Sequence, residues 1–200
     1  QLVYVPDDPR LGRYREQFAG RMMMLEIRPD DDMSAFPSFG RAPDVIGAET
    51  FYRRITEDND HRADTEAFVR ARLFDMMLSD WDRHRLQWRW AAFEPPDEQG
   101  KIYRPIPRDR DWAFNRFDGM LPGLMRLAID PKFQQFTPEY LSVKGLTLNG
   151  FEQDRRLTAS VTEATWAAIA RDIQQRVTDD VIEAAVRNLP EAVFAYHGEE

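Results

Sequence analysis

Residues 80–111 run DWDRHRLQWRWAAFEPPDEQGKIYRPIPRDRD, and their order decides how the chain is read. Within Leu86–Phe93, Gln87, Arg89 and Ala91 alternate against Trp88, Trp90 and Ala92, the two-residue period of a strand. Pro95–Gly100 (PPDEQG) is a turn, and Ile102–Pro107 is a second extended run, so the stretch reads as a β-hairpin with a six-residue connection. Pro105 and Pro107 lack an N–H and belong on an edge or at strand ends. A hairpin brings its own ends together. Asp80 and Asp82 before it and Asp109 and Asp111 after it are therefore expected side by side at one mouth. Carboxylates so gathered repel by several kcal/mol (order of magnitude) when desolvated and unpaired. Arg83, Arg85, Arg108 and Arg110 can offset that, and so can a hard divalent cation, which takes one or two carboxylates plus waters and phosphate oxygens. The plain alternative is a solvated lattice of Asp/Arg pairs, which contributes little.

Upstream of the hairpin, Asp64 to about Ser79 reads as a helix whose Ala67, Ala71, Phe74 and Leu78, continued by Trp81, form one apolar seam. Ala48–Thr56 is a shorter amphipathic helix. The first 48 residues are punctuated by Pro6, Pro9, Gly12, Gly20, Pro29, Pro37, Gly40 and Pro43. Within them Met22–Ile27 is a short buried strand or one turn of helix. Downstream, a Gly/Pro-punctuated region leads to a helix from Thr162 to about Val177 and another capped by Thr178. A short helix after Pro190 is also expected. The domain reading is an irregular segment at 1–48 and a helical domain at 49–200, α+β in class and mainly helical.

Composition removes several functions. The chain of 200 residues has no cysteine, so thiolate metal sites, disulfides and a Cys nucleophile are excluded. Its net charge of −8 carries no basic stripe, a poor match for nucleic acid. No apolar run approaches the roughly 18 residues that would cross a bilayer. Only three lysines occur, Lys101, Lys132 and Lys144, against three histidines, His61, His84 and His197. With so few histidines a two-metal phosphohydrolase is a weaker alternative, and no G-x-S-x-G supports a serine nucleophile.

The phrase DWDRHRLQW resembles the catalytic loop of atypical kinases, in which Asp-Arg-His follows a helix and a metal-binding side chain comes five residues after the Asp. IPRDRDWAF resembles the metal-binding segment of the spore-coat CotH kinases, and the secreted casein-type kinases have a related acidic segment. HipA-type and phosphatidylinositol kinases share the general plan. The resemblance covers about residues 60–117, and the whole chain is similar to a group of bacterial envelope-associated proteins carrying the DWDRH and PRDRD phrases. It implies a kinase-like large lobe with the hairpin between two acidic loops, residues 1–48 being a remnant of an incomplete small lobe. It implies Asp82 as the catalytic Asp, with Asp80 as its substitute, and Asp109, Asp111 and Gln87 as ligands of Mg²⁺ or Mn²⁺. Arg83 and Arg108 either screen the acids or contact the phosphates of ATP. His84 would brace the loop, Trp88, Trp90 and Trp112 would pack rather than stack on a base, and Phe117-Asp118-Gly119 would be a turn. The likeness leans localisation toward the cell envelope or periplasm and leaves the hydroxyl acceptor open. It departs from the family at three points: Gln87 stands where many of these kinases have Asn, no lysine precedes Asp82, and there is no Gly-rich phosphate loop. The missing partner for ATP could precede Gln1, could be Arg21 or Arg28, or could have been lost together with transfer activity. A non-catalytic, pseudokinase-type binding module is the corresponding alternative.

Overall fold

In the computed structural model, residues 2–116, 132–140 and 142–197 are described. The chain is α+β, with about 44% helix and 15% strand, and forms two compact units. The smaller comprises Gln1–Arg28 with Gln174–Glu200; the larger is Pro29–Ile173. In the smaller unit, strands β1 (Leu2–Val5) and β2 (Arg21–Met24) pair antiparallel, with the short helix α1 (Arg15–Phe18) between them in the chain. Met22–Met24 is thus strand, but Met22 and Met24 are exposed rather than buried.

The larger unit is organised by strands β3 (Asp44–Gly47), β4 (Arg62–Ala63), β5 (Trp88–Phe93) and β6 (Ile102–Pro107), in the sheet order β3-β5-β6-β4. The β5–β6 hairpin is present, with Trp88 opposite Pro107 and Phe93 opposite Ile102, so its connection runs over the eight residues 94–101. Past the last paired residues, the Arg108 N–H donates to the Gln87 carbonyl at 2.9 Å. Bonded pairs alternate along an antiparallel ladder, which puts Pro105 and Pro107 at non-bonded positions where no N–H is required. On the far side of β6, β4 pairs parallel with Ile102 and Tyr103 and leaves the proline end an edge.

The alternation in β5 divides two cores. Trp88, Trp90 and Ala92 face Ile46, Tyr103, Phe51, Phe68 and Leu157, all buried in one cluster. Ala91 points the other way, to Met33, Ala42 and Val45. Residues 29–47, read from their turn signals as part of an irregular segment, therefore belong to the sheet unit. Helices α2 (Ala48–Glu57) and α3 (Thr65–Met77) cover the aromatic face. Asp64 caps α3, its carboxylate accepting from the Ala67 N–H at 3.0 Å. The seam expected on α3 is borne out only at its end, where Leu78 and Trp81 are buried. Phe68, Arg72, Asp75 and the following Ser79 are the most enclosed row, while Ala67, Ala71 and Phe74 are only half-buried. An interior arginine and aspartate replace the apolar residues that periodicity would demand.

After residue 132 come α4 (Val143–Thr147), α5 (Phe151–Thr158), α6 (Glu163–Arg176), α7 (Asp179–Val186) and α8 (Glu191–His197). The last three lie where capping and periodicity put them, with Thr178 accepting from the Val181 N–H. Phe117-Asp118-Gly119 lies outside the described residues.

Candidate functional site

The first acidic loop is set by how α3 ends. Ser79 has φ +61°, its N–H donates to the Met76 carbonyl at 3.1 Å, and the Asp80 N–H donates to the Asp75 carbonyl at 2.9 Å. This is a Schellman stop with serine where glycine is usual. Non-glycine residues held there cost on the order of 1–3 kcal/mol, and Asp109, at φ +54° in the second loop, is another. The sharp stop turns Asp80 inward.

Arg83 fastens the two loops together. Its side chain is wholly buried. Its Nε lies 3.1 Å from Asp75 Oδ2, and its Nη1 donates to Asp80 Oδ2 at 3.2 Å. Nη1 also donates to the carbonyls of Arg108 (2.6 Å) and Asp109 (3.3 Å), and Nη2 to that of Gln87 (3.1 Å). Trp88 lies beneath the guanidinium, 4.9 Å to the ring centroid. Arg83 was expected to screen the acids at the mouth or to touch phosphate. It screens Asp80, one of those acids, but from the interior, and its buried guanidinium makes no ion pair with Asp82, Asp109 or Asp111. Asp80 is likewise removed from the mouth and cannot stand in for Asp82. Burial pushes its carboxyl up to about 6, against the pull of Arg83 and with Asp75 adding to the rise.

A folded-state value above the ordinary one near 3.8 means that Asp80 contributes stability below about pH 4, lost as pH rises through about 6. Asp111 and Asp154 are raised too and act in the same direction. Carbon-detected NMR should give an Asp80 midpoint near 6, and Asp80→Asn should flatten the fall of melting temperature between pH 4 and 7. A midpoint below 4.5 would contradict this burial.

Three of the acids are left over. Among the described residues, Asp82, Asp109 and Asp111 have no cationic side chain in ion-pair contact, whereas Asp75, Asp80 and Asp154 all do. Asp82 accepts from Asn149 Nδ2 at 2.7 Å, and Asp109 from Gln87 Nε2 at 3.1 Å. Partial burial, then the charges of Asp109 and Asp82, raise the Asp111 carboxyl. The loops therefore meet, and these three carboxylates share one electrostatic neighbourhood. Gln87 and Asp109, expected as ligands of one ion, touch directly, and the amide must turn to present its oxygen. Among the described residues no three His, Cys, Asp or Glu side chains converge as a metal-holding group. Mg²⁺ does not demand one, since waters and phosphate oxygens usually complete its shell. The Arg108 Nε is buried without a hydrogen-bond partner.

Asn149 was not foreseen. It sits in the turn between α4 and α5, which packs so closely that a Cβ on Gly150 would lie 2.9 Å from Arg72 Nη2 and 3.2 Å from the Arg83 carbonyl. Arg72, buried on α3, holds Asp154 through two parallel bonds of 2.7 and 2.8 Å. That clamp draws the turn onto the Asp82 loop. An Arg and an Asp three apart in an apolar helix were the available signal for the clamp; a lone Asn gives none. His84 braces its loop as expected, its Nδ1 accepting from the Leu86 N–H at 3.2 Å. Trp88 and Trp90 are core residues, and Trp112 packs on Trp81 at 4.7 Å between centroids.

Comparison with protein-family models, with curated proteins and with solved structures finds no match to the chain. Among the described residues no helix is long and apolar enough to cross a membrane.

Proposed function

We propose that the larger unit is a kinase-like domain that binds a nucleotide through Mg²⁺ or Mn²⁺ and transfers its terminal phosphoryl group to a hydroxyl acceptor. The observation that carries this reading is the sorting of the acids. Interior arginines neutralise Asp75, Asp80 and Asp154, while Asp82, Asp109 and Asp111 are gathered from both hairpin ends without a cationic partner among the described residues. Uncompensated carboxylates brought together at a fastened loop pair suit a cation and a phosphate chain better than they suit stability.

In this reading Asp109 and Asp111 would hold the cation, with the turned Gln87 amide as a third protein ligand. The cation would supply neutralisation of the phosphate charge. Asn149 occupies Asp82 Oδ1 and leaves Oδ2 for the proton of an acceptor hydroxyl. Arg108, whose Nε lacks a partner, would be the guanidinium that meets a phosphate oxygen. A second reading, nucleotide binding without transfer, is favoured by the absence of any lysine before Asp82.

Thermal shift with Mn²⁺ and ATP tests the proposal. At ligand near 100 times Kd the chain should gain about 2.7 kcal/mol, a gain that disappears in Asp109→Asn. Asp82→Asn should keep the shift and lose phosphate transfer. An undiminished shift in Asp109→Asn would overturn the ligand assignment, and no shift in the unsubstituted chain would overturn the function. A shift without transfer to any hydroxyl compound would select the second reading.

A further inference from the structure

Beside the Asp82 loop lies a cavity of about 220 Å³ lined by Tyr52, His84, Arg85, Asn149, Glu152, Gln153 and Arg156. It is smaller than the roughly 300–1,000 Å³ pockets that take drug-sized molecules. Asn149, which donates to Asp82 Oδ1, forms part of its wall, so a single side chain links the cavity to the carboxylate assigned to the acceptor.

The wall consists mostly of hydrogen-bond donors. Tyr52 Oη donates to Gln153 Oε1 at 3.0 Å, which fixes the amide and leaves Gln153 Nε2 buried without a partner. Gln153 is only 5% exposed, so this unpaired donor in the cavity's wall costs stability. Burial raises the Tyr52 phenol above its ordinary value, which keeps its proton in place. Because His84 Nδ1 accepts from the backbone, a neutral ring carries its proton on Nε2, a further donor. Arg156 stacks over Tyr52 at 4.8 Å and donates to Thr56 Oγ1, and it has no carboxylate partner among the described residues. Arg85 pairs with Glu49, which is not part of the wall. Against two guanidinium groups stands one acid, Glu152.

We propose that this cavity binds a small hydroxylated anion, a carboxylate- or phosphate-bearing hydroxy compound, and presents its hydroxyl to Asp82 as the phosphoryl acceptor. The acceptor role rests on the kinase-like reading above; the anion site does not. In the step, the acceptor oxygen forms a bond to the terminal phosphorus while the bond to the bridging oxygen breaks. The bridging oxygen leaves on the nucleoside diphosphate with the electron pair, and the hydroxyl proton passes to Asp82.

Calorimetric titration of the whole chain, free of metal and nucleotide, with glycerate, glycerol 3-phosphate and glycerol tests the site. Both anions, or one of them, should bind and glycerol should not; which anion binds tells carboxylate from phosphate. Arg156→Gln, at an exposed position, should weaken anion affinity at least tenfold, and Arg85→Gln should weaken it as well. Asp109→Asn, outside the cavity, should leave it within twofold while abolishing the Mn²⁺–ATP shift. Equal binding of glycerol, or anion affinity unchanged in Arg156→Gln, overturns the site. Anion binding in a chain that never responds to Mn²⁺–ATP keeps the site and overturns its acceptor role.

Discussion

Arg83→Met should cost about 3–5 kcal/mol, the range for removing one partner from a buried ion pair. For a chain of this size that lowers the melting temperature by roughly 6–20 °C. The side chain is 0% exposed and serves two carboxylates and three backbone carbonyls at once. Methionine fills much of the volume but leaves Asp80 without its cation. Asp75 fares better, since Arg110 Nε remains 2.9 Å from its Oδ1. The deficit should therefore concentrate on Asp80, and the double variant Arg83→Met/Asp80→Asn should recover part of the loss. Arg83→Lys should fall between, because an ammonium has three donors and cannot reproduce the planar fork. If Arg83→Met melts within 2 °C of the unsubstituted chain, the account of the joined loops is wrong. Should that variant fail to fold, the ranking of Arg83→Lys and Asp80→Asn in urea midpoint still tests it.

The second large effect belongs to the sheet. Trp90→Ala should cost about 3–5 kcal/mol. Trp90 is fully buried in β5, opposite Ile46 on one neighbouring strand and Pro105 on the other. Its ring lies on that of Phe51 with centroids 3.7 Å apart and planes 9° from parallel, and Phe68 approaches at 6.2 Å. Alanine would open a cavity between β5 and both covering helices. The indole N–H, however, is buried with no hydrogen-bond partner. Trp90→Phe removes that unpaired donor along with some apolar area, so it should cost far less than the alanine variant. Urea midpoints of the two variants decide it: equal losses would mean that the ring packing contributes nothing beyond the first carbons.

Much of this was legible in the sequence for definite reasons. The hairpin follows from the strict alternation in Trp88–Phe93 and the turn residues after it. Helices α3 and α7 follow from Asp64 and Thr178 at their caps. Strand β3 was hidden because four residues, Asp-Val-Ile-Gly, lie amid turn signals and acquire their structure only by pairing with β5. The inner face of α3 was only partly placed: Leu78 and Trp81 are buried as read, but periodicity counts apolar residues, and mid-helix the chain buries Arg72 and Asp75 instead. At the site, the meeting of the loops was readable from topology alone. Which acids would be neutralised was not. Asp80 and Asp82 look alike in the chain, and only the stop at Ser79 sends one inward to Arg83 and leaves the other to Asn149.

The Arg72–Asp154 clamp ties positions 82 residues apart, and Asn149 reaches Asp82 across 67. An excised peptide spanning 60–116 would keep both acidic phrases intact and still lose the part that orients Asp82. Transplanting DWDRH and PRDRD onto a foreign scaffold would likewise carry the lettering without the latch. The smallest piece that keeps the latch extends past Thr158, and trimming should be attempted from the opposite end.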